Sequence, residues 1–464
     1  MDPLPLVTIA QFSEGEISGG DSNAIVSRIS TDSRTLQAGD LFVPLVGENF
    51  DGHRFIDQAV KRGAIGALVQ TGWSGSVPRG FALVRVADTL SGYQRLAAAY
   101  RQSLKLKVIA ITGSNGKTST KDFVAAEFGR RFRVTKTEGN FNNHVGLPRT
   151  ILEASARDEF AVWELGMNHP GEIAALAAIA APDAAIITNI GLAHIEFMGS
   201  REAIALEKGA LAEAVGPDGH VVLNAEDPSS KMIASRTRAK IILAGINEGA
   251  VRATDIRQTA SGSEFTVLEG AHRCRAQLPV PGLHMVQNAM LAIGVGRAFG
   301  LSIEECVAGL STAPLTKARL QIREVNGLQF IDDSYNANPD SMKAALRTLV
   351  ELDAEGRRVA VLGHMSELGV ESNRAHREVG EAAAALKIDQ LITVGDAARA
   401  IASASENAGL ENVAAFTTPE EAADLLVETA SPGDLILIKG SRSARMERVL
   451  EAFAKRQPTG GIAP

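Results

Sequence analysis

Short apolar runs alternate with helical stretches through the middle of the chain. Residues 108–111, 160–163 and 184–188 have the length and apolar character of buried parallel strands. Helices are predicted at about residues 171–180 and 201–214, each following one of these runs. Because strands and helices alternate, the pattern predicts a parallel sheet that is covered on both faces by helices.

The N-terminal part of the chain repeats this pattern on a smaller scale. Strands are predicted at residues 41–43 and 65–69, with a helix at about residues 54–62 between them. Gly63 follows the basic last turn of that helix, where a left-handed cap is expected. These elements predict a small α/β domain.

A further α/β region follows the helix that is predicted to end near Phe299. Residues 313–317 combine proline, threonine and lysine and are typical of a hinge. No Gly-x-Gly-x-x-Gly turn follows it, so a dinucleotide cofactor is not indicated. Four apolar runs beyond the hinge are the predicted strands of a doubly wound sheet: residues 329–331, 359–362, 391–394 and 435–438.

At 464 residues the chain is too long for one ordinary core, since domains usually have roughly 100–200 residues. We therefore predict an α/β protein of three domains. They are a small N-terminal α/β domain (1–103), a central parallel-sheet domain (104–313) and a C-terminal Rossmann-like doubly wound domain (314–464). Only residues 458–464 have the composition of a frayed end.

Composition narrows the class of partner and the compartment. The 47 basic and 54 acidic residues give a net charge of −7, without the clustered basic excess of a nucleic-acid-binding protein. Cys274 and Cys306 are too isolated to form a disulfide framework or a zinc site. With no signal core and no apolar run of the roughly 18 residues that a spanning helix needs, we expect a cytoplasmic protein without membrane insertion.

A phosphate-binding loop is predicted directly after the strand that ends at Ile111. Glycines let backbone N–H groups turn toward phosphate oxygens, and the helix N-terminus adds about half a positive charge. Lys117 would neutralise the outer phosphates of ATP, and Thr118 would place its hydroxyl on Mg²⁺. The residues of the loop and the helix start are Gly113, Ser114, Asn115, Gly116, Lys117, Thr118 and Ser119.

The match is to a shortened form of the phosphate loop. The usual pattern has another glycine five residues before Gly116, where this chain has Ile111. The alternative interpretation is a glycine turn that caps an ordinary helix.

Polar residues follow two other strands of the predicted central sheet. Glu164 closes one strand, and Asn189 and His194 follow the next. Ligands bind at the carboxyl ends of parallel strands, so these side chains are expected to face the phosphate loop. A carboxylate and an imidazole beside a triphosphate suit a second Mg²⁺ ion, although a helix cap or a solvated residue is the commoner role at a strand end.

Two asparagine-rich stretches, residues 139–143 and 334–339, are also unusual. Asn338 before Pro339 is typical of a helix N-cap followed by the first helical residue. Asp332 nevertheless stands at the end of a predicted strand close to these amides, so a substrate-clamping role is equally consistent with the pattern.

Taken together, these residues resemble the Mur ligases of peptidoglycan synthesis, in all three predicted domains. The matching segments of the first domain are Thr31-Asp32-Ser33-Arg34, Gly39-Asp40-Leu41-Phe42 and Phe50-Asp51-Gly52-His53. Those of the second are the phosphate loop, Gly139 to Asn143, Gly146-Leu147-Pro148, Glu164-Leu165-Gly166-Met167, Pro170-Gly171-Glu172-Ile173, Thr188-Asn189-Ile190-Gly191, His194, Lys208 and His284 to Asn288. Those of the third are Arg319, Asp332 to Pro339, Glu367-Leu368-Gly369 and Lys439-Gly440-Ser441-Arg442-Ser443.

The resemblance implies a role for each of these residues. For ATP it implies the phosphate-loop residues with Asn288, Arg319, Asp333 and Tyr335. For the metal ions it implies Thr118, Glu164, His194 and Lys208, the last often carbamylated in the family, and for catalysis Lys117, Glu164, His194 and Lys208. For the substrates it implies Ser33, Arg34, Asp51, His53, Thr137, Asn140, Asn142, Asn336 and Asn338.

The activity implied is the ATP-dependent joining of D-alanyl-D-alanine to a UDP-N-acetylmuramoyl-tripeptide by a monomer with two Mg²⁺ ions. The alternatives are a sister ligase that adds a single amino acid to a muramyl peptide or to folate, and a nucleotide-operated switch without ligase chemistry. Two departures from the family pattern are His364, where an aspartate is usual, and Ala318, where a glycine often precedes the arginine. They bear on the incoming-dipeptide site and on Arg319.

Overall fold

The computed structural model describes residues 1–259 and 261–456, and the predicted frayed end at residues 458–464 lies outside them. Three main sheets follow one another along the chain, with five, nine and six strands. Helices pack against the mainly parallel strands of each sheet. The predicted α/β class is confirmed. No helix in the described part is both long and apolar enough to span a membrane.

The N-terminal sheet has the order β2-β9-β8-β5-β4, and only its edge strand β2 is antiparallel. The predicted strands and the left-handed Gly63 (φ 83°) are confirmed, while the predicted helix begins as a 3₁₀ turn, Gly52–Phe55. The strands are β1 (Leu4–Pro5), β2 (Glu16–Ser18), β3 (Ile25–Val26), β4 (Ile29–Ser30), β5 (Leu41–Phe42), β6 (Val46–Gly47), β7 (Phe50–Asp51), β8 (Gly66–Gln70) and β9 (Ala82–Val86). The helices are α1 (Leu6–Ser13), α2 (Ile56–Lys61) and α3 (Thr89–Ser103).

The central sheet contains nine strands. They are β10 (Lys107–Thr112), β11 (Val134–Lys136), β12 (Phe160–Glu164), β13 (Ala184–Ile187), β14 (His220–Asn224), β15 (Lys240–Gly245), β16 (Val251–Thr259), β17 (Gly262–Glu269) and β18 (His272–Leu278). The helices are α4 (Lys117–Gly129), α5 (Gly146–Glu153), α6 (Glu172–Ala180), α7 (Ile195–Met198), α8 (Arg201–Glu213), α9 (Ser230–Ala234), α10 (Leu283–Ala298) and α11 (Ile303–Leu310).

This sheet has the order β11-β12-β10-β13-β14-β15-β16-β17-β18 and changes character at β16. The strands up to β16 are parallel, as predicted, and β16 to β18 form an antiparallel meander that the sequence analysis missed. The meander strands alternate buried and exposed residues, and many of the exposed ones are charged. They therefore lack the continuous apolar runs by which buried parallel strands are recognised.

The C-terminal sheet has the order β19-β20-β24-β21-β22-β23, and only its edge strand β19 is antiparallel. The four predicted strands are confirmed, and the two edge strands were missed because they bury no residue. The strands are β19 (Gln321–Val325), β20 (Leu328–Asp333), β21 (Arg358–Gly363), β22 (Gln390–Val394), β23 (Val413–Phe416) and β24 (Leu435–Lys439). The helices are α12 (Pro339–Glu351), α13 (Ser372–Ala385), α14 (Arg399–Asn407), α15 (Pro419–Thr429) and α16 (Glu447–Lys455), with 3₁₀ turns at Gly369–Glu371, Asp396–Ala398 and Arg442–Ala444.

The predicted hinge is bonded to α4. The backbone N–H and the hydroxyl of Thr316 both donate to Asp122 Oδ2, at 2.9 and 2.7 Å. Asp122 is buried and is also paired with Lys136 at 2.8 Å. The connection to the third sheet therefore starts from a fixed point on the helix that follows the phosphate loop.

Glu127, a buried acid on α4, should make the stability of the protein depend on pH. Among the described residues, neither carboxyl oxygen of Glu127 has a hydrogen-bond partner. The side chain is fully buried against Gly296 and Gly309, and burial raises its pKa well above the ordinary 4.5 despite the nearby thiol of Cys306. In the folded protein this carboxyl therefore keeps its proton at pH values where the unfolded chain has lost it.

We expect Glu127→Met to raise the melting temperature, and more at alkaline than at acidic pH. Above the unfolded pKa of about 4.5, the unfolded wild type releases a proton that the folded state retains, so wild-type stability falls by up to about 1.4 kcal/mol per pH unit. The stability of the methionine variant does not fall with pH in this way, because methionine has no proton to lose. Thermal unfolding of both proteins at about pH 5 and about pH 8 measures the difference, and an equal shift at both would contradict the neutral-acid assignment.

Candidate active site

The phosphate loop lies between β10 and α4, as predicted, and α4 begins at Lys117. Gly113 (φ 152°) and Gly116 (φ 79°) adopt backbone conformations that favour glycine. A Cβ atom at Gly116 would overlap the buried amide of Asn288 on α10. Since α10 packs so closely on the loop, the resemblance-based placement of Asn288 at the ATP site is consistent with the geometry.

The loop is held from the neighbouring strand β13 by an exchange of amide groups. Asn115 N–H donates to Asn189 Oδ1 at 3.0 Å, and Asn189 Nδ2 donates back to the Asn115 carbonyl at 3.1 Å. The Ser114 hydroxyl accepts from Gly191 N–H at 2.8 Å. These bonds fix the loop before any ligand binds, and they give Asn189 a structural reason for its position at the strand end.

Lys117 projects from the first turn of α4 back over the loop. Its ammonium donates to the carbonyl of Gly113 at 2.9 Å. Burial lowers its pKa, an effect that Glu164 opposes and Arg319 reinforces. A half-buried cation held over a glycine-rich loop is suited to a phosphate group.

Glu164 is the centre of the hydrogen bonds around Thr118. Its Oε2 accepts from the Thr118 hydroxyl at 2.9 Å, and its Oε1 accepts from Asn142 Nδ2 at 2.7 Å. The backbone N–H of Glu164 donates to the hydroxyl of Thr137 at 2.9 Å, and the Thr137 carbonyl accepts from Lys121 at the same distance. Residues predicted from the strand end, the phosphate loop and an asparagine-rich stretch are therefore joined in one network.

The donor atoms fit a magnesium ion that is shared with a nucleotide. A hydroxyl and a carboxylate, those of Thr118 and Glu164, are hard oxygen ligands of the kind that Mg²⁺ binds. Within the described residues, no three His, Cys, Asp or Glu side chains cluster closely enough to hold a metal alone. Phosphate oxygens and water would have to supply the other ligands, as is usual for Mg²⁺ with ATP.

Lys208 is a buried residue of α8, although its helical context suggested a surface charge. Its side chain is only 1% exposed. Burial lowers its pKa well below the usual value, and the positive charge of Lys117 lowers it further, against a smaller opposing effect of Glu207. Burial and the charge of Lys117 therefore both favour the uncharged, nucleophilic amine over the ammonium form.

The third sheet contributes Arg319 and its neighbours. Arg319 Nη2 donates to the Thr118 hydroxyl at 3.3 Å, and its guanidinium lies over the ring of Tyr335, 4.1 Å from the centroid. Asp333 accepts from Lys439 at 2.6 Å. Ala318, where a glycine is usual in the family, has a left-handed backbone (φ 58°). Alanine thus occupies a conformation that favours glycine, and Arg319 still reaches the site.

Asn338 caps a helix and also contacts the phosphate loop, while its substrate-clamping role stays a prediction. Its Oδ1 accepts from Ser341 N–H at 2.9 Å and caps α12, while its Nδ2 donates to Asn115 Oδ1 in the phosphate loop at 2.7 Å. Asp340, in the first turn of α12, accepts from Leu192 N–H at 3.2 Å. The start of α12 is therefore bonded to the loops that follow β10 and β13.

His194 lies at the start of α7, and its ring contacts the third domain. Its Nδ1 is 2.6 Å from Oε2 of Glu367. His364 is the other residue that departs from the family pattern. Its Nε2 lies 2.9 Å from the hydroxyl of Ser443, and the two residues lie in the segments that follow β21 and β24. That this departure bears on the incoming-dipeptide site stays a prediction.

The residues predicted for the UDP-substrate lie in the N-terminal part of the chain, in the loop after β4, in β7 and in the 3₁₀ turn that follows it. Arg34 is 80% exposed and paired with Asp32. His53 is buried, with Nδ1 2.7 Å from Asp51 and Nε2 accepting from Gln70 N–H. The Ser33 hydroxyl donates to a glutamine on α2. Of this set, Arg34 has the most accessible polar group, whereas His53 is occupied within the protein.

The other predicted residues are dispersed. Asn140 and Asn336 are exposed, and the carbonyl of Asn336 accepts from Lys439 at 2.9 Å. Ser119 is buried in α4. Glu367 and Asp122 take part in the site or its support but were not assigned roles, because only their long-range partners distinguish them from ordinary surface or helical acids.

Comparisons with known proteins identify the family to which the chain belongs. The families described as "Mur ligase family, catalytic domain", "Mur ligase middle domain" and "Mur ligase, glutamate ligase domain" match residues 25–77, 111–296 and 318–442. The UDP-N-acetylmuramoyl-tripeptide–D-alanyl-D-alanine ligase of Bacillus subtilis is 39% identical over 449 residues, which cover 96% of this chain and 96% of that protein.

Two solved structures share the whole architecture. A crystal structure of MurF from Acinetobacter baumannii has a TM-score of 0.90 at 34% identity, covering 98% of this chain and 100% of that one. The MurF ligase of Thermotoga maritima in complex with ADP has a TM-score of 0.83 at 28% identity, covering 92% and 97%. With three family matches in order and a relative that is similar over nearly its full length, this chain belongs to the Mur ligase family.

Proposed function

We propose that the protein joins D-alanyl-D-alanine to UDP-N-acetylmuramoyl-tripeptide, with ATP converted to ADP and phosphate. The observation that carries this proposal is the joining of Lys117, Thr118 and Glu164 at a phosphate loop that the third domain also contacts, through Arg319 and Asn338. The names of the full-length relatives support the substrates.

The chemistry must activate a carboxylate that does not react with an amine at neutral pH. The tripeptide carboxylate attacks the γ-phosphorus of ATP, which gives an acyl phosphate and ADP. The dipeptide amine then attacks the acyl carbon, loses a proton and expels phosphate. Lys117, over the loop, neutralises charge that develops on the transferred group, and Arg319 is placed to do the same from the opposite domain.

Mg²⁺ would neutralise the phosphate oxygens during the transfer. Thr118 and Glu164 are the residues that would hold it, and His194 and Lys208 are proposed for a second ion. An uncharged Lys208 amine can add CO₂ and release a proton, which turns it into a carbamate anion able to bind a cation. The low pKa of this buried lysine favours that reaction.

We assign the UDP-substrate to residues 1–103, ATP to 104–313 and the dipeptide to 314–464, in a cytoplasmic monomer. Closure of the third domain over the nucleotide would exclude water that could hydrolyse the acyl phosphate. The sister activity would need a clamp for a single amino acid, and the Asp-Asn-Pro-Arg stretch typical of it is missing from the third domain.

The purified protein should release ADP only when UDP-tripeptide and D-alanyl-D-alanine are both present. Mass spectrometry should detect one pentapeptide per ADP, with the lysine or the diaminopimelate form of the tripeptide.

Lys117→Ala should abolish turnover and keep the wild-type melting temperature, because the lost charge faces a ligand. Equal ADP release without either acceptor would favour the switch, and product formation with free D-alanine or glutamate alone would favour the sister ligase.

Lys208→Ala should lose most of the activity, and acetate or formate should restore part of it by supplying a carboxylate in the vacated space. Lys231→Ala, at an exposed lysine of α9, is the matched control and should behave as wild type. Initial ADP-release rates with and without the small acids measure both effects. Near-normal activity of Lys208→Ala would exclude the carbamate, and a loss without rescue would argue for a role of the amine itself.

Arg34→Ala should raise the KM for the UDP-substrate about tenfold and leave that for ATP unchanged, since this exposed guanidinium of the first domain keeps N–H groups beyond the two that donate to Asp32. Arg62→Ala removes another exposed arginine of the same domain and should change neither constant. Steady-state kinetics with each substrate varied in turn test this division, and equal changes in both KM values for Arg34→Ala would contradict it.

A further inference from the structure

Two residues with left-handed backbones meet side chain to side chain across the central and third domains. His194 has φ 62° and Glu367 has φ 61°, and neither is a glycine. His194 Nδ1 and Glu367 Oε2 are 2.6 Å apart. Such conformations are unfavourable for residues with a Cβ atom and persist where the surroundings impose them, often at functional sites.

Backbone contacts hold the side chains of His194 and Glu367 next to each other. Glu367 lies in the loop between β21 and the 3₁₀ turn Gly369–Glu371, and its carbonyl accepts from Glu196 N–H on α7 at 3.3 Å. Gly369 packs against the side chain of Glu196, where an added Cβ would lie 3.1 Å from its Cγ. The loop of the third domain is therefore seated on the short helix that His194 begins.

Stability alone does not explain this arrangement. Glu367 is 42% exposed and His194 is 20% exposed, and ion pairs at the surface contribute little to folding. The free-energy cost of two left-handed residues exceeds the stabilisation that one surface ion pair contributes. A contact that is unfavourable for the fold and lies at the start of α7, after the strand that supports the phosphate loop, is better explained by a role in the reaction.

We propose that Glu367 is a positioning residue that orients the imidazole of His194 when the third domain is seated on the central domain. Because the Glu367 carboxylate lies 2.6 Å from Nδ1, Nε2 is the nitrogen left for the nucleotide-bound cation. A carboxylate beside one ring nitrogen can fix both the tautomer and the ring orientation of a metal-binding histidine. The proposal rests on the proposed function. It makes the third domain, which receives the incoming amine, a contributor to the cation site on the central domain.

The test compares Glu367→Ala, Glu367→Gln, His194→Ala and the double alanine variant with wild type. Two quantities are measured: kcat for pentapeptide formation, and the affinity for Mn²⁺ in the presence of a non-hydrolysable ATP analogue, by electron paramagnetic resonance. Glu371→Ala is the control, because this nearby acid is paired with Arg374 within its own domain. Melting temperatures are recorded for all variants.

Glu367→Ala should reduce kcat and Mn²⁺ affinity by about 10- to 100-fold without a matching fall in melting temperature. Glu367→Gln should retain more of both, because its amide oxygen still accepts from Nδ1–H. Glu371→Ala should resemble wild type. In the His194→Ala background, Glu367→Ala should add no further loss, since the carboxylate then has no ring to orient.

Additive losses in the double variant, wild-type values for Glu367→Ala, or a loss that follows the melting temperature would each overturn the proposal. The failure of the proposed function would be seen separately, as a wild-type protein that forms no pentapeptide. In that case the Mn²⁺ measurements still decide whether Glu367 acts through His194.

Discussion

The site depends on the convergence of three adjacent parallel strands at the start of one helix. β10 lies between β12 and β13, so Glu164 at the end of β12 and the loop after β13 both face the residues that begin α4. The register places Ile111 beside Glu164, two residues before Gly113. A slip of one residue in this pairing would turn the carboxylate to the opposite face of the sheet and separate it from Thr118.

The same helix connects this site to the rest of the chain. Thr118, in its first turn, accepts from Arg319, and Asp122, one turn later, binds Thr316 in the hinge. The hinge therefore runs beside α4 and is held at two points, which fixes where the third domain starts relative to the phosphates. Asn338 adds a contact from the first turn of α12 to the phosphate loop. The third domain thus approaches the nucleotide at several positions that are far apart in sequence.

The sequence predicted the features that neighbouring residues determine by themselves. Apolar runs located the buried strands, the Gly-Lys-Thr segment located the loop, and Asn338 before Pro339 located a helix start. Local patterns did not reveal the antiparallel meander, whose strands are half solvated, or the burial of Lys208, which depends on packing around α8. The pairing of His194 with Glu367 joins residues from different domains, so no spacing in the chain could indicate it.

The charges of the lysines near the phosphate loop favour the binding of an anion. Lys208 is buried and Lys117 is half-buried, and burial lowers the pKa of each. Their charges also oppose one another, since Lys117 disfavours the ammonium form of Lys208. Near these two lysines, Glu164 is the carboxylate that favours the charged form of Lys117. The ammonium of Lys117 is partly removed from water, so a polyphosphate bound at the loop would offset a cost already present in the fold. A cluster that only stabilised the protein would instead pair its charges internally, as Lys439 does with Asp333.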